Sequence, residues 1–197
     1  MLDGMDSYTL KDGRQVAIRP IGPHDHERLR ASHARLSPES RYRRFLTTKP
    51  ELSSADARYL VEIDGSDHHA LVATLPEAPG EPIVAVARYI RLPDDPAAAE
   101  YAVVVGDDYQ RQGLASELMT RLAHAGAARG IKRFRATMLA DNLAIHRVSA
   151  KLAAGPLKYR RLGTISEVEI ELAVAPASGR PADGRPARAI IGACAGS

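Results

Sequence analysis

The first sixty residues show helical spacing after one short strand. Alternating β-forming residues over Gln15–Arg19 predict the strand, and Pro20 ends it. Residues that cap or open helices then recur three times, each followed by apolar residues at helical spacing. We therefore expect three helices, which begin after Gly22–Asp25 (apolar stripe Leu29, Ala31 and Leu36), at Ser37–Glu39, and at Ser53 or Ser54 (stripe Ala57, Leu60 and Val61).

The apolar period shortens to that of strands between His69 and Val105. His69–Leu75 and Pro82–Leu92 predict two strands, and the turn signal at Glu77–Gly80 joins them into a hairpin. Glu100–Val105 is apolar after its first residue, which is typical of a central strand covered on both faces.

Helices and strands alternate beyond Val105, which predicts an α/β (α+β) fold with crossover helices. The last 23 residues show no periodicity and are rich in Gly, Pro, Ala and Arg, so we expect a folded domain over residues 1–174 and a disordered tail over 175–197. The first predicted element is a helix that Gly130 ends, with an apolar stripe of Leu114, Leu118, Met119, Leu122 and Ala125. A strand over Ile131–Leu139, a helix capped by Asp141 or Asn142, and a strand over Thr164–Leu172 follow it.

Composition and charge exclude several classes of protein. The chain has 197 residues, 45% of them apolar and 26% charged, which suits one globular domain. Its net charge is +3, and three arginines and one aspartate of the tail supply +2 of it, so no nucleic-acid partner is expected. The single cysteine, Cys194, allows no disulfide framework. Neither a signal-peptide pattern nor a bilayer-spanning apolar run occurs, so we expect a cytoplasmic protein without a membrane partner.

A strand, a turn and a helix meet at residues 103–116 in a way that suits a phosphate. The first N–H groups of a helix have no partner within it, and the helix dipole favours anions there. Gly113 and Ala115 allow a ligand close to the backbone, and Arg111 adds a cation. The same residues would also form an ordinary helix start, and the two common phosphate-loop motifs are absent.

The hexapeptide Gln110–Ala115 resembles the acetyl-CoA signature of the GNAT acetyltransferases, Q/R-x-x-G-x-G/A. The likeness covers about Val16–Leu172 and is greatest to bacterial protein lysine acetyltransferases of the Pat type, through stretches such as Ser40–Phe45, Ala85–Tyr89, Ala99–Val105 and Met138–Asn142. It implies the GNAT fold, a mixed sheet of about six or seven strands flanked by about four or five helices.

The resemblance also implies acetyl-CoA as cosubstrate. Its pyrophosphate would lie on the amides of the turn and its pantetheine arm along the preceding strand. Asn142 would contact the same arm, although it could also cap a helix, and the two roles can coexist. The cofactor-binding residues implied in this way are Val103, Val104, Val105, Gln110, Arg111, Gln112, Gly113, Leu114, Ala115, Ser116 and Asn142.

Amine acetylation needs a base for the amine proton and stabilisation of the thioester oxyanion. Glu100 begins the strand that leads to the turn, and Ala102 and Val104 share its face, so apolar neighbours should raise the pKa of its carboxyl group. It could also be a solvated carboxylate at a strand end, but the resemblance to lysine acetyltransferases assigns it as the catalytic base. No Ser-His-Asp set is evident, which suits direct transfer.

One position departs from the family, and two more remain open. Ser149 stands where many GNAT enzymes carry a tyrosine that protonates the leaving thiolate, so the proton would come from water; Tyr159 is a remote candidate and more readily a packing residue. Arg44 and Asp64 are candidates for the acceptor side, with a solvated helix face and a turn cap as their alternatives. No metal is expected, since the histidines His24, His26, His68 and His69 lack ligand partners at suitable spacing.

These observations predict transfer of an acetyl group to an amine, most readily that of a protein lysine, by a monomer or homodimer. A small-molecule acceptor (a polyamine, an aminoglycoside or an amino acid) is the first alternative, which a strongly acidic cleft would favour. A catalytically silent acyl-CoA sensor is the second. The missing tyrosine would allow it, whereas Glu100 argues against it.

Overall fold

The computed structural model describes residues 6–173, in which eight strands form one mixed sheet. The strands are β1 (Asp6–Thr9), β2 (Gln15–Pro20), β3 (His68–Thr74), β4 (Ile83–Leu92), β5 (Asp95–Val105), β6 (Arg133–Leu139), β7 (Lys158–Leu162) and β8 (Ile165–Glu171). Their order is β1-β2-β3-β4-β5-β6-β8-β7, and every neighbouring pair is antiparallel except β5 and β6, which run parallel.

Helices cover both faces of the sheet, which confirms the expected α+β class. One core lies under the first and third helices, with Leu29 and Leu60 among its members, and a second lies under the fourth and fifth helices, with Leu118 and Val148. The second short helix contacts β5 and β6. The helices are α1 (His26–Arg35), α2 (Pro38–Phe45), α3 (Ser54–Val61), α4 (Leu114–Ala127) and α5 (Leu143–Leu152), and short 3-10 turns lie at Pro23–Asp25 and Asp107–Tyr109.

Polar side chains start three of these helices as the sequence predicts. The Ser37 hydroxyl accepts a hydrogen bond from the Ser40 amide at 3.2 Å, and the Ser53 hydroxyl accepts one from the Asp56 amide at 3.1 Å. Asn142, rather than Asp141, caps α5. Each cap satisfies a backbone N–H that has no partner inside its helix.

The parallel pair β5 and β6 separates along its length. Pairing is confined to Ala98–Glu100 against Arg133–Arg135, whereas β5 stays paired with β4 as far as Val105. Beyond Glu100, β6 is paired only with β8 in the described part of the chain. The residues Tyr101–Val105 therefore have one free backbone edge, and a wedge opens between the two strands.

Both faces of residues 100–105 contact a core, as expected, but the cover is incomplete: Val103 and Val105 pack against the core under α4 and α5, and Val104 against the core under α1 and α3. Val103, Val104 and Val105 are only partly buried. A run of apolar residues therefore indicates a central strand, but it does not show whether both neighbouring strands stay paired with it along its whole length.

The sheet has eight strands instead of about six or seven, because the apolar pattern of the sequence does not reveal two of them. β1 and β7 are the two edge strands, and β7 is exposed at every residue. An edge strand has only one hydrogen-bonded neighbour and needs no buried face, so polar residues suffice.

Three smaller expectations need comment. Ala31 is exposed, and His33 takes its place in the buried stripe of α1. Gly126 lies inside α4, buried where a Cβ atom would meet the Phe134 ring at 3.4 Å, and the helix ends at Ala127, shortly before the Gly130 that the sequence predicts as its end. The predicted tail, Cys194 and the domain boundary at residue 174 lie outside the described residues.

Candidate active site

The turn between β5 and α4 presents a row of unused backbone donors. The amides of residues 111–116 donate no hydrogen bond to any described residue, and the first bond of the helix runs from the Glu117 amide to the Gly113 carbonyl at 3.1 Å. Six consecutive free N–H groups at a helix N-terminus form a concave site for an anion. The phosphate-binding role predicted for this turn is therefore supported by its backbone.

The backbone bends through two left-handed residues to make this row. Arg111 has φ +60° and Gly113 has φ +88°. A Cβ atom on Gly113 would also lie 2.7 Å from the Tyr8 hydroxyl, which β1 holds against the turn. Only glycine tolerates both the left-handed conformation and this contact.

Asp107 links the turn to the start of α2 through hydrogen bonds with Ser37 and Ser40, which we call the clasp. Its carboxylate accepts hydrogen bonds from the Ser37 amide at 2.8 Å, the Ser37 hydroxyl at 2.9 Å and the Ser40 hydroxyl at 2.6 Å. Gln110 extends this clasp, since its side-chain amide donates to the Ser40 hydroxyl at 3.1 Å and the Val105 carbonyl at 3.2 Å. The Gln110 side chain therefore holds the turn together, while Arg111 is exposed.

The free edge of β5 leads from this turn to Glu100. Val103 turns its backbone N–H and C=O away from β4 and could offer them to an extended ligand in the wedge. The Val104 backbone groups face β4 instead, and the Val105 carbonyl already accepts from Gln110. Asn142 is buried, with 7% of its surface exposed, and its Oδ1 accepts from the Ile145 amide at 3.4 Å. Its capping role is thus present, and a contact with a cofactor stays a prediction.

Glu100 lies where the wedge begins. Its carboxylate is partly buried, and it makes no hydrogen bond or ion pair with residues 6–173. Burial raises its pKa to about 7, and the Arg44 guanidinium offsets part of that effect. A carboxyl group with this pKa takes and releases protons readily at neutral pH.

A cavity of about 580 Å³ opens beside Glu100 over β6, β8 and β7. Strand register sets a row of alternating charges across its floor, Glu100–Arg135–Glu169–Lys158, because residues paired across strands share a face. Glu169 is bonded to Arg135 at 2.7 Å and to Lys158 at 3.2 Å, and Glu167 lies 3.7 Å from Arg160. Glu100 is thus the one acid among the residues that line this cavity without a basic partner.

The two acceptor-side candidates lie elsewhere among the described residues. Asp64 caps the turn that enters β3: its Oδ1 accepts from the amides of Ser66, Asp67 and His68 at 2.7–2.9 Å, and these bonds lower its pKa. Arg44 does not line the large cavity but a second, smaller one.

No tyrosine of the described chain occupies the place predicted for a general acid. Ser149 is fully buried, and its hydroxyl lies 2.6 Å from the Tyr101 hydroxyl, whose pKa burial raises to about 12. Tyr159 lies on β7 with 48% of its surface exposed, and its hydroxyl is 2.9 Å from His146 Nδ1. It is therefore not the packing residue that the sequence suggests.

The sequence reasoning missed three residues that shape the site. Arg88 is a cation within the apolar run of β4, and that exception was the available signal. Asp107 and Tyr8 act through contacts with residues about 70 and 105 positions away along the chain, which no local pattern reveals. Across residues 6–173, no three His, Cys, Asp or Glu side chains are grouped to hold a metal ion, and no helix has the length and apolarity needed to span a bilayer.

Comparison with known proteins gives consistent matches. The acetyltransferase (GNAT) family matches residues 34–153. The acetyltransferase Pat of Mycolicibacterium smegmatis is 36% identical over 145 residues, and an acetyltransferase of Pseudomonas aeruginosa is 36% identical over 137 residues. These alignments cover 74% and 70% of this chain, and 43% and 73% of the respective relatives.

A solved structure extends the match to three dimensions. The GNAT domain of S. lividans PAT superposes with a TM-score of 0.74 at 32% identity, covering 85% of this chain and 97% of that domain. The chain thus corresponds to nearly all of that domain but to less than half of the length of the Mycolicibacterium protein.

Proposed function

Since this chain belongs to the GNAT family of acetyltransferases and has the fold of that family, we propose that it transfers an acetyl group from acetyl-CoA to the side-chain amine of a protein lysine. The observation that carries the proposal is Glu100, a partly buried and unpaired carboxylate with a pKa of about 7 at the narrow end of the wedge. We expect the reaction in the cytoplasm, by a monomer or homodimer.

The turn and the wedge suit the two ends of the cosubstrate. The free amides of residues 111–116 would hold the pyrophosphate, as expected of a helix N-terminus with two left-handed residues before it. The open edge of Tyr101–Val105 would hydrogen-bond the pantetheine arm as a strand would. Bound in this way, acyl-CoA supplies the activated acetyl group, and the chain positions it beside Glu100.

Glu100 then acts as the general base. A free lysine amine has a pKa of about 10.4 and must lose a proton to attack. The Glu100 carboxylate accepts that proton, and the neutral amine attacks the thioester carbonyl. The new N–C bond forms as the C–S bond breaks, and the second proton on the nitrogen passes to water. The thiolate leaves and is protonated by water, since Ser149 is buried and already bonded to Tyr101. Atoms and charge balance without a covalent enzyme intermediate.

The charges of the large cavity favour a protein lysine over a polyamine or aminoglycoside. A small acceptor with several cationic amines needs several free acids around it. The Glu167 and Glu169 carboxylates are already paired with cations of β6 and β7, which leaves only Glu100 for a single amine. The likeness to Pat acetyltransferases points the same way.

The test is CoA release from acetyl-CoA with four kinds of acceptor: lysine peptides, a folded acyl-CoA synthetase, polyamines and aminoglycosides. We expect turnover on the protein or the peptides and a loss of at least about 100-fold in Glu100→Gln, the range of general-base effects. Glu167→Gln, in the same cavity but paired with Arg160, is the matched control and should lose little. Turnover confined to the small amines would overturn the acceptor, and tight binding without turnover on any acceptor would favour an acyl-CoA sensor.

A further inference from the structure

The second cavity is small and lies between the helices and the face of β5 that carries Glu100. Its volume is about 40 Å³. Ala102 and Val104 of β5 form its floor, Arg88 of β4 and Arg44 of α2 enter it, and His33 of α1 closes it. The mechanism above uses none of these three polar side chains.

Arg88 is buried without a counter-ion. Only 2% of its surface is exposed. Its Nη1 donates to the Leu60 carbonyl at 3.2 Å and contacts His68 Nε2 at 2.9 Å. Burial and the neighbouring Arg88 lower the pKa of His68 to about 3, so both partners are neutral. Among residues 6–173, no carboxylate lies within ion-pair distance of this guanidinium.

Two buried nitrogen atoms in the same cavity have no hydrogen-bond partner. They are Nη1 of Arg44 and Nε2 of His33. A buried donor without an acceptor destabilises the folded protein, and more so when it carries charge. Such atoms in a folded protein are usually satisfied by a group that enters the site.

The cavity is therefore strongly electropositive. Burial lowers the pKa of Arg44 to about 10 and that of Arg88 to about 9, which leaves both side chains protonated at neutral pH. Glu100 is the one acid that acts on Arg44, but it forms no ion pair with Arg44 and lines the other cavity. Two desolvated cations of like charge call for an anion from outside the chain.

We propose that this cavity binds a carboxylate group, with Arg44 and Arg88 supplying the charge and His33 a hydrogen bond. A water-sized probe occupies about 10–15 Å³, so 40 Å³ holds roughly three non-hydrogen atoms, the size of a carboxylate. The carboxylate has two possible sources, the far end of a dicarboxylic acyl chain on CoA or a small free acid. The first source rests on the proposed function, because Ala102 and Val104 belong to the strand expected to hold the thioester.

The acyl arm of the test compares succinyl-CoA with acetyl-CoA as donors. The readout is the ratio of the two kcat/KM values in the wild type and in Arg44→Met, which removes the charge and keeps the length of the side chain. We expect the ratio to fall by about 10–100-fold, the value of one charge-assisted hydrogen bond. If Arg44→Met alters the pKa of Glu100, the kcat/KM values of both donors change equally, so the effect cancels in the ratio.

The free-acid arm measures the thermal midpoint with increasing potassium acetate, and with acetamide as the neutral analogue. If a free acid is the ligand, acetate raises Tm saturably in the wild type, acetamide does not, and Arg44→Met loses the effect. Arg44→Lys should regain part of it. Arg30→Met removes a cation from the exposed side of α1 and is the matched control in both arms.

Either positive arm supports the carboxylate site and names its source. An unchanged donor ratio together with no saturable effect of acetate overturns it. If no acyl-CoA is turned over by any protein, the proposed function fails by itself, and the acetate arm still decides whether the cavity binds a carboxylate.

Discussion

At the residue scale, Glu100 combines two demands that oppose each other. Apolar surroundings bring its pKa to about 7, where a base is useful, but the same surroundings disfavour its ionised form in the folded protein. The structure leaves it without a partner, whereas the other acids of its cavity are paired. The ionisation of Glu100 should therefore affect both the rate of the reaction and the stability of the protein.

The pH dependence of kcat/KM should therefore show an ascending limb with an apparent pKa of about 7. Glu100 is protonated and inactive as a base below that pH and ionised above it. The measurement is kcat/KM between pH 5.5 and 9 with acyl-CoA saturating. Glu100→Gln should lose this limb along with most of the rate, and a limb that persists in the variant would assign the titration to another group.

Glu100→Gln should also stabilise the protein at alkaline pH. The pKa of Glu100 is raised on folding from 4.5 to about 7, so its contribution to stability is fully present below pH 4.5 and is lost as the pH rises through 7. This rise in pKa corresponds to about 3 kcal/mol at pH 8, where we therefore expect the variant to melt about 6–12 °C above the wild type, whereas at pH 5 the two should differ less. Equal differences at both pH values would contradict the assigned shift.

At the element scale, α2 and the turn between β5 and α4 form one unit. Asp107 ties the two together through three hydrogen bonds, so a ligand on the turn also bears on the helix that carries Arg44. Tyr8 and Arg14 brace the other side, with the Arg14 guanidinium 4.4 Å from the centre of the Tyr109 ring.

Removing the clasp should weaken acetyl-CoA binding. Asp107→Ala leaves Ser37 and Ser40 without their acceptor, and we expect a loss of about 1–3 kcal/mol in stability and a raised KM for acetyl-CoA. The adjacent Asp108→Ala is the control, because only the Asp108 backbone carbonyl takes part in the bracing. Denaturant unfolding and donor kinetics would measure both. Similar losses in the two variants would show that general charge, rather than the clasp, holds the turn.

Gly113→Ala should raise the KM for acetyl-CoA more than it lowers stability. The variant meets left-handed strain of about 1–2 kcal/mol and the contact with the Tyr8 hydroxyl. Gly13→Ala has the same φ within a degree but no atom near its Cβ, so it reports the strain alone. Combining Gly113→Ala with Tyr8→Phe should recover the part due to the contact; no recovery would leave strain as the whole cause.

At the scale of the whole molecule, local sequence patterns predict most elements but not how strands separate. The helix caps at Ser37, Ser53 and Asn142 and the buried strands follow from short-range chemistry. The edge strands β1 and β7 carry no buried face and so no apolar signal. The wedge depends on where β6 changes partners, which is a property of the sheet.

The same limit applies to the candidate site. The sequence predicts Glu100 through the resemblance to a family, and it predicts the turn through the signals of a helix start. The charge row from Glu100 to Lys158 joins residues of four strands that are far apart in the chain, and only their register places them on one face. The sequence shows Arg88 as a charged residue within an apolar strand. Its lack of a counter-ion becomes apparent only when the helices are packed on the sheet.

If the free edge of β5 holds the cosubstrate as proposed, binding of the cosubstrate also stabilises the fold. A ligand that bonds along Tyr101–Val105 binds the native chain and not the unfolded one, and at a hundred times its dissociation constant it adds about 2.7 kcal/mol to the unfolding free energy. In a cell, degradation of unfolded chains would then link the amount of this enzyme to the acyl-CoA supply. When acyl-CoA is scarce, the empty enzyme would be the first to be cleared.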